Sequence, residues 1–402
     1  MTTRIPAKAK SILFLLSATG TTTLALHASK PNFSPDLVTS FPQRIGAGIS
    51  ATVRSSRALF TIASNIVDYK YSLHRIDAAS DEYGALLSQV HLRAARRILK
   101  LCETNKGFYV KAGQFIAAMR QVPKEYAATL SSLQDQAVPC NFQAIKAVLI
   151  RNLGKDLSDV FMFFDEHPIA AASIAQVHRA LLKDHQEVAV KVQYPGLEQQ
   201  MILDTSTMSF LSTIVAWIFP EYRFQWAVLE FVKTVSLELD FIQEAKNSER
   251  TAKNFLKNKI IKVPAVFWEF TSGQVLTMEL CRGNKVDDLE FMKRNHINPL
   301  KVGKALVDLF AEMIFIHGFV HGDPHPGNIL VSTEGEHGFS LVLLDHGIYR
   351  LLDDDFRKEY CKLWKAMILL DAKSIYSIGE RFGIGRYAKF LPLIFTGRTI
   401  DR

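Results

Sequence analysis

Asp323 and Asn328 have four residues between them within His321-Gly-Asp-Pro-His-Pro-Gly-Asn328, and Asp345 follows seventeen residues after Asn328. A carboxylate at Asp323 can accept the proton of an attacking hydroxyl. An amide oxygen at Asn328 can ligate a divalent cation, and D-x-x-x-x-N is the spacing of a phosphotransfer loop. Asn328 stands just before the apolar run Ile329–Val331, and Asp345 ends the run Leu341–Leu344. If these runs pair as antiparallel strands, the start of the first lies beside the end of the second. The two oxygen ligands then meet at one end of a hairpin. Asn plus Asp is a hard oxygen set, suited to Mg2+ shared with phosphates. Gly347 permits a sharp change of direction after Asp345.

Plainer readings of the same residues exist. A Pro/Gly turn between a helix and a strand explains the eight residues but leaves Asp345 unused. His321 and His325 are spaced i,i+4, yet Pro324 and Pro326 forbid the helix that would align them as metal ligands. Both histidines are expected to be hydrogen-bonded structural residues.

A phosphate-binding cation would complete such a site, and "VAVKV" (188–192) offers Lys191. In a strand, Ala189 and Lys191 share one face while Val188, Val190 and Val192 take the other. A small residue beside the lysine leaves room for a flat base. The lysine needs a carboxylate from a helix, and "LELDFIQEAKNSE" supplies Glu238, Asp240 and Glu244. Asp240 and Glu244 are like-charged at i,i+4, a cost on a helix unless cations face them; a solvated acidic face is the plainer reading. In "LTMEL" (276–280) a strand runs toward a hinge where the backbone around Glu279–Cys281 could meet adenine; a core strand reads equally well.

The elements that must position these residues follow from periodicity. Glu82–Leu153 is dense in helical spacing, and 40–75 is weakly helical and basic. Strand character begins at Val160, then a long helical stretch runs over about Leu197–Phe255. "VFWEFTSGQVLTMEL" reads as two strands around Ser272-Gly273, and helices return after Gly283. "TMSFLSTIVAWIF" (207–219) is too short to span a bilayer and is expected to be a buried helix, with a membrane contact as the alternative. A small sheet lobe followed by a helical lobe, with a ligand cleft, is the expected arrangement.

Composition agrees with a globular chain of 402 residues, 48% hydrophobic and 22% charged, long enough for two or three domains. The net charge of +8 suits anionic lipid or nucleotide, but no basic block long enough for nucleic acid is present. Cys102, Cys140, Cys281 and Cys361 are far apart, which argues against a zinc site or disulfide scaffold and for reduced, buried thiols. Met1–Val67 holds one acidic residue, Asp36, against seven basic ones. With the Thr-rich apolar stretch Ser11–His27, this is the pattern of a mitochondrial presequence or short anchor rather than a secretory signal.

The set of a V-A-x-K lysine, a helix glutamate, D-x-x-x-x-N and D-x-G resembles the protein-kinase-like superfamily. Four segments make it more similar to the UbiB family of aarF-domain-containing atypical kinases, and to a mitochondrial branch of it. They are Lys111-Ala-Gly-Gln114 (K-x-G-Q), "AAASIAQVH" (170–178) where other kinases have a glycine-rich loop, Glu238-Leu-Asp240 with Glu244, and "HGDPHPGN" with Asp345-His-Gly347. The resemblance covers about residues 75–350. It implies an α+β, two-lobed kinase-like fold with a helical N-terminal extension. The implied pieces are 1–40 for targeting or anchoring, 75–159 for the extension, 160–282 for the sheet lobe and 283–402 for the helical lobe. The chain ends 55 residues after Gly347, so the helical lobe is expected to be incomplete.

The resemblance also implies roles. Lys191 binds the nucleotide phosphates and pairs with Glu244; Asp323 is the base; Asn328 and Asp345 hold Mg2+. Ala170, Ala171, Ala172 and Ser173 line the ATP or ADP site with Glu279 and Cys281. Lys111 and Gln114 sit over the cleft, Lys111 near Glu238 and Asp240, in a regulatory position. Two departures have consequences. Alanine methyls keep the loop backbone from approaching phosphates as closely as glycines would, and Gly322 replaces the arginine that orders a phosphorylated activation segment in many kinases. The implied function is an ATP-dependent atypical kinase or ATPase at a mitochondrial membrane, at the inner membrane or intermembrane space, acting in lipid or coenzyme Q homeostasis. A nucleotide-binding scaffold without turnover and a small-molecule phosphotransferase are the alternatives. Membrane lipids are expected partners, and nucleic acid is not.

Overall fold

In this computed structural model, the described residues are 37–397 apart from 78, 120, 136–138, 222–224 and 336–337. The expected targeting stretch Ser11–His27 lies outside them. The first half of the chain runs α1 (Leu37–Ser72), α2 (Asp81–Asn105), α3 (Phe108–Ala118), α4 (Lys124–Leu130), α5 (Phe142–Leu153), α6 (Leu157–Val160), then β1 (Phe161–Phe164), β2 (Ala170–Ala171), β3 (Ala175–Leu182) and β4 (Glu187–Gln193). Next come α7 (Leu197–Ile218), α8 (Gln225–Glu238), α9 (Phe241–Asn254), β5 (Ile261–Lys262), β6 (Val275–Glu279) and β7 (Asn284–Lys285). The remainder is α10 (Leu289–Arg294), α11 (Pro299–Glu312), β8 (Phe319–His321), β9 (Ile329–Ser332), β10 (Ser340–Leu343), β11 (Tyr349–Leu351), α12 (Asp354–Ile368), α13 (Ala372–Arg381) and α14 (Leu391–Thr396). The chain forms two compact units, one from residues up to 137 with 196–232, the other from 138–195 with 233–402.

The first unit is helical where described. The Ser80 side chain caps α2 by accepting from the Tyr83 amide, with Asp81 and Glu82 in the first turn facing the positive end of the helix dipole. Lys106 and Gly107, both at positive φ, turn the chain into α3. A Cβ at Gly113 of the K-x-G-Q motif would stand 2.4 Å from Leu133 Cδ1 and 3.1 Å from Cys102 Sγ, so the motif's glycine lets α3 pack closely. Gln114 Nε2 donates to the Leu133 carbonyl at 3.0 Å. A buried ion pair joins α1 to α7: Arg54 Nε donates to Asp204 Oδ1 at 3.2 Å, and the guanidinium also donates to the Asn105 carbonyl. These partners compensate for the cost of burying both charges.

The expectation of a buried helix over 207–219 is corrected by α7. Four of its residues are buried (Leu197, Met201, Asp204 and Leu211), whereas Ile202, Phe210 and Trp217 are exposed, Trp217 by 67%. Among the described residues it is a helix long and apolar enough, by length and composition, to cross a membrane. Its apolar residues lie all around the helix, so packing uses only a narrow stripe.

The second unit is built on an antiparallel sheet in the order β1-β3-β4-β6, with β2 on β3. Val188, Val190 and Val192 pack with Ile145, Val148 and Leu149 of α5, so the strand alternation sends Lys191 to the opposite face. A second sheet has the order β5-β10-β9-β7, with β5 parallel to β10. Ile329, Val331, Leu341 and Leu343 of its hairpin pack on Val302, Leu309 and Met313 of α11 and the turn after it. The short pair β8–β11 stands apart, and α12–α14 form a helical cluster around Leu363, Met367 and Ile378.

Four further expectations change. The long helical stretch 197–255 is three helices. Asp240 is not on a helix with Glu244 but is the N-cap of α9, accepting from the amides of Ile242 and Gln243, while Glu238 ends α8. Its carboxylate therefore satisfies helix donors instead of repelling Glu244. Of the two strands around Ser272-Gly273, only β6 is continuous; before it stand a single bridge at Val266 and a 3-10 turn over Trp268–Phe270. All four cysteines are free, but only Cys102 is buried; the others are half-buried.

Candidate active site

The second unit brings Lys191, Glu244 and Asp345 together. Lys191 Nζ donates to Glu244 Oε1 at 2.7 Å, to Oε2 at 2.9 Å, and to Asp345 Oδ2 at 3.2 Å. It also lies 5.1 Å from the centre of the Phe241 ring. Burial alone would depress Lys191, but Asp345 and Glu244 outweigh it and hold the ammonium above its ordinary range. Burial pushes Glu244 up to about 7, with Lys191 opposing and Asp345 adding to the rise. For Asp345 burial acts upward too, but Lys191 and the Gly347 amide hold it below the usual carboxylate range. One ammonium thus serves two carboxylates.

Asp345 follows β10, whose register pairs Leu343 with Ile329. The Leu344 amide donates to the Asn328 carbonyl at 2.9 Å, so the backbones carrying Asn328 and Asp345 adjoin at one end of the hairpin. Asn328 Nδ2 donates to Asp323 O at 3.1 Å and Oδ2 at 3.2 Å, which leaves its amide oxygen for another partner. His321 spans the two segments: its Nε2 meets the Asp345 carbonyl at 2.7 Å, and its Nδ1 accepts from the Asp323 amide at 3.1 Å. Those partners define a neutral ring with the proton on Nε2. His325 Nδ1 accepts from the Gly327 amide. Both histidines are hydrogen-bonded within the loop.

His346 is also buried and neutral. Its Nε2 faces the Leu343 carbonyl at 3.1 Å and its Nδ1 the Tyr349 hydroxyl at 2.9 Å. Burial, with His321 next in effect, pushes it down to about 4. Glu238 lies nearby, since a Cβ at Gly347 would be 3.8 Å from both Glu238 Cγ and Glu244 Oε2.

Ala170 and Ala171 pair with Val177 and Gln176, and the Ala172 amide donates to the Ala175 carbonyl. Tyr194 Oη donates to Ala172 O at 2.9 Å. The turn holding Ala172 and Ser173 therefore lies where Ala175 pairs Gln193, two residues along β4 from Lys191. At the far end of β6, Glu279 Oε1 meets Lys262 Nζ at 2.8 Å, and burial, then Glu279, pushes the Cys281 thiol up to about 11. Lys111 and Gln114 belong to the first unit, on α3.

Among the described residues, no three His, Cys, Asp or Glu side chains converge as a self-sufficient metal cage. Mg2+ seldom uses one, since it keeps waters and takes one or two protein oxygens plus phosphate. Asp345, ionised and with 38% of its side chain accessible, and the amide oxygen of Asn328 fit that role. Sequence reasoning missed Asn247, whose Nδ2 donates to the His346 carbonyl. The available signal was a run of polar residues on the buried face of α9: Glu244, Asn247, Ser248 and Thr251.

A strand lysine paired with a helix glutamate, an Asp ending a hairpin and a D-x-x-x-x-N loop before it define the protein-kinase-like class. Residues 132–379 match the ABC1 atypical kinase-like domain. The chain is 43% identical over 350 residues to AarF domain-containing protein kinase 1 of Xenopus laevis, covering 86% of this chain and 67% of that protein. It is 40% identical over 351 residues to the Mus musculus protein of the same name, covering 87% and 67%, and 38% identical over 350 residues to AarF domain-containing kinase 1 of Drosophila melanogaster, covering 86% and 68%. The chain belongs to the ABC1/AarF atypical kinase-like family. Among solved structures, the Rv3197–erythromycin complex of Mycobacterium tuberculosis is 26% identical with a TM-score of 0.49, covering 75% of each chain. The Rio2 kinase–ADP/Mg2+–phosphoaspartate complex of Chaetomium thermophilum is 13% identical with a TM-score of 0.32, covering 65% of this chain and 70% of that one.

Proposed function

We propose that this chain binds ATP or ADP with Mg2+ and acts as an atypical kinase or ATPase at a mitochondrial membrane, in lipid or coenzyme Q homeostasis. The observation that carries the reading is Lys191 held between Glu244 and Asp345. Lys191 binds the α- and β-phosphates, Glu244 keeps it extended toward them, and Asp345 with Asn328 offers oxygens to Mg2+. Held there by Asp345 and Asn328, the ion would supply positive charge against the negative charge developing on the transferred phosphoryl group. Asp323, held by the Asn328 amide, accepts the proton of the attacking hydroxyl. Ala170, Ala171, Ala172 and Ser173 cover the nucleotide, while Glu279 and Cys281 lie at the hinge where adenine would be read. Lys111, Gln114, Glu238 and Asp240 act in regulation.

The acid-poor, basic N-terminal sequence supports the mitochondrial setting, and the exposed apolar side chains of α7 support a lipid surface. The test is nucleotide turnover by purified protein with vesicles containing anionic mitochondrial-type lipid, beside Asp345→Asn. Turnover lost in the variant supports the reading. Nucleotide binding without turnover in either protein favours the scaffold alternative.

A further inference from the structure

Glu244 and Asn247 are three residues apart on the buried face of α9, and both reach the peptide groups of His346. The His346 amide faces Glu244 Oε1 at 3.5 Å, a long contact, and Asn247 Nδ2 donates to the His346 carbonyl at 2.9 Å. Asn247 is 6% exposed. Gln243 Nε2 donates to Asn247 Oδ1 at 2.9 Å, which fixes the amide's orientation: reversed, it would set oxygen against oxygen at His346 and nitrogen against nitrogen at Gln243. The preceding carbonyl, that of Asp345, is held from another element by His321 at 2.7 Å. Two successive carbonyls are therefore tied to two different elements, and the residue whose side chain faces Lys191 is the first of them.

A loop whose carbonyls were free could rotate its peptides and swing the Asp345 side chain. The His346 ring adds bonds to the Tyr349 hydroxyl of β11 and the Leu343 carbonyl of β10, but these hold the side chain and not the peptide. The Asn247 bond ties the loop backbone itself to the helix that carries Glu244, at a shorter distance than the Glu244 contact with the His346 amide. We propose that Asn247 is a positioning residue for Asp345, tying the His346 carbonyl to α9 so that Glu244 and the Asp345 carboxylate hold one geometry. The part that concerns Mg2+ rests on the function proposed above. A merely structural Asn247 would satisfy a buried carbonyl and affect only stability.

Hydrogen exchange separates the two, using the full chain without ligand. In Asn247→Ala, amides of residues 345–348 exchange about five- to tenfold faster, the scale of one lost hydrogen bond, while Leu341 and Leu344 of the hairpin match the wild type. Acceleration spread equally over hairpin and loop, or none in the loop, overturns the proposal. Gln243→Leu, which frees the amide's orientation but leaves Asn247 in place, gives the same pattern at about two- to threefold and serves if the alanine variant does not fold. In ADP titrations, the Mg2+ concentration at half-effect rises about fivefold in Asn247→Ala, with metal-free ADP affinity within about twofold. An unmoved Mg2+ midpoint contradicts the positioning role. Wild-type protein that binds no ADP contradicts the proposed function instead, and loop exchange still decides the role of Asn247.

Discussion

Lys191 on β4 donates to both carboxylate oxygens of Glu244 on α9, at 2.7 and 2.9 Å, across 53 residues of sequence. Lys191→Met removes the cation that stands between the Glu244 and Asp345 carboxylates. The expected cost is roughly 3 kcal/mol, the low end for breaking a buried pair, because Glu244 can take up a proton. Urea unfolding measures it, and ADP binding is lost in the same variant. Stability within about 1 kcal/mol of the wild type shows that the pair contributes no more than a surface pair would.

Gly322, beside Asp323, has no room for a side chain. A Cβ there would stand 2.6 Å from Ile348 Cγ2 and 3.3 Å from the Ile348 carbonyl, which already accepts the Gly322 amide at 2.8 Å. The arginine of many kinases is thus excluded by packing, not only absent. Gly322→Ala is expected to lower stability by about 1–3 kcal/mol, as overpacking does, measured by thermal or urea unfolding. An unchanged midpoint contradicts the steric account.

His178, buried in β3, is neutral by its contacts. Its Nδ1 meets the Asp165 carbonyl at 2.8 Å and its Nε2 the Gln176 amide nitrogen at 2.9 Å. Burial depresses its pKa, with the Asp165 carbonyl opposing. Its folded pKa therefore lies below the unfolded one. The stabilisation is present above the unfolded value, near 6.5, and is lost as pH falls through that value toward the folded one. Urea unfolding between pH 7 and pH 5 is expected to show stability falling with pH. In His178→Gln that slope is smaller by up to about 1.4 kcal/mol per pH unit, one proton's worth. An identical slope in the variant places the proton uptake elsewhere.

Tyr194 Oη holds the Ala172 carbonyl, and β2 pairs Ala170 and Ala171 to β3. Ala171→Gly lets the backbone come closer to phosphate and adds freedom to the turn. ATP or ADP affinity is expected to change by about threefold or more. Calorimetric affinities equal to the wild type sink the idea that the methyls set nucleotide handling.

Legibility in the sequence followed locality. Asn328 and Asp345 could be placed together because one hairpin joins them. Lys191 could be turned away from α5 because strand alternation is strict. The parallel pairing of β5 with β10 links residues some eighty positions apart, and no local pattern carries it. Asp240 was readable in principle: Asp240-Phe-Ile-Gln243 has the spacing of a capping box, but an unbroken helical pattern on both sides hid the start of α9. The exposure of α7 was not readable, since an apolar composition does not say which neighbour, if any, covers it. Asn247 was hidden for the converse reason, because a polar residue on a helix reads as surface until its buried partner is known.

In the proposed function Asp345, held beside Lys191 and Glu244, couples Mg2+ to nucleotide binding. Titrating ADP into wild-type protein and Asp345→Asn, each with and without Mg2+, tests it most directly. Mg2+ is expected to tighten ADP binding to the wild type by about tenfold or more and to leave the variant's affinity unchanged. An equal effect of Mg2+ on both proteins, or no ADP binding to the wild type, contradicts it.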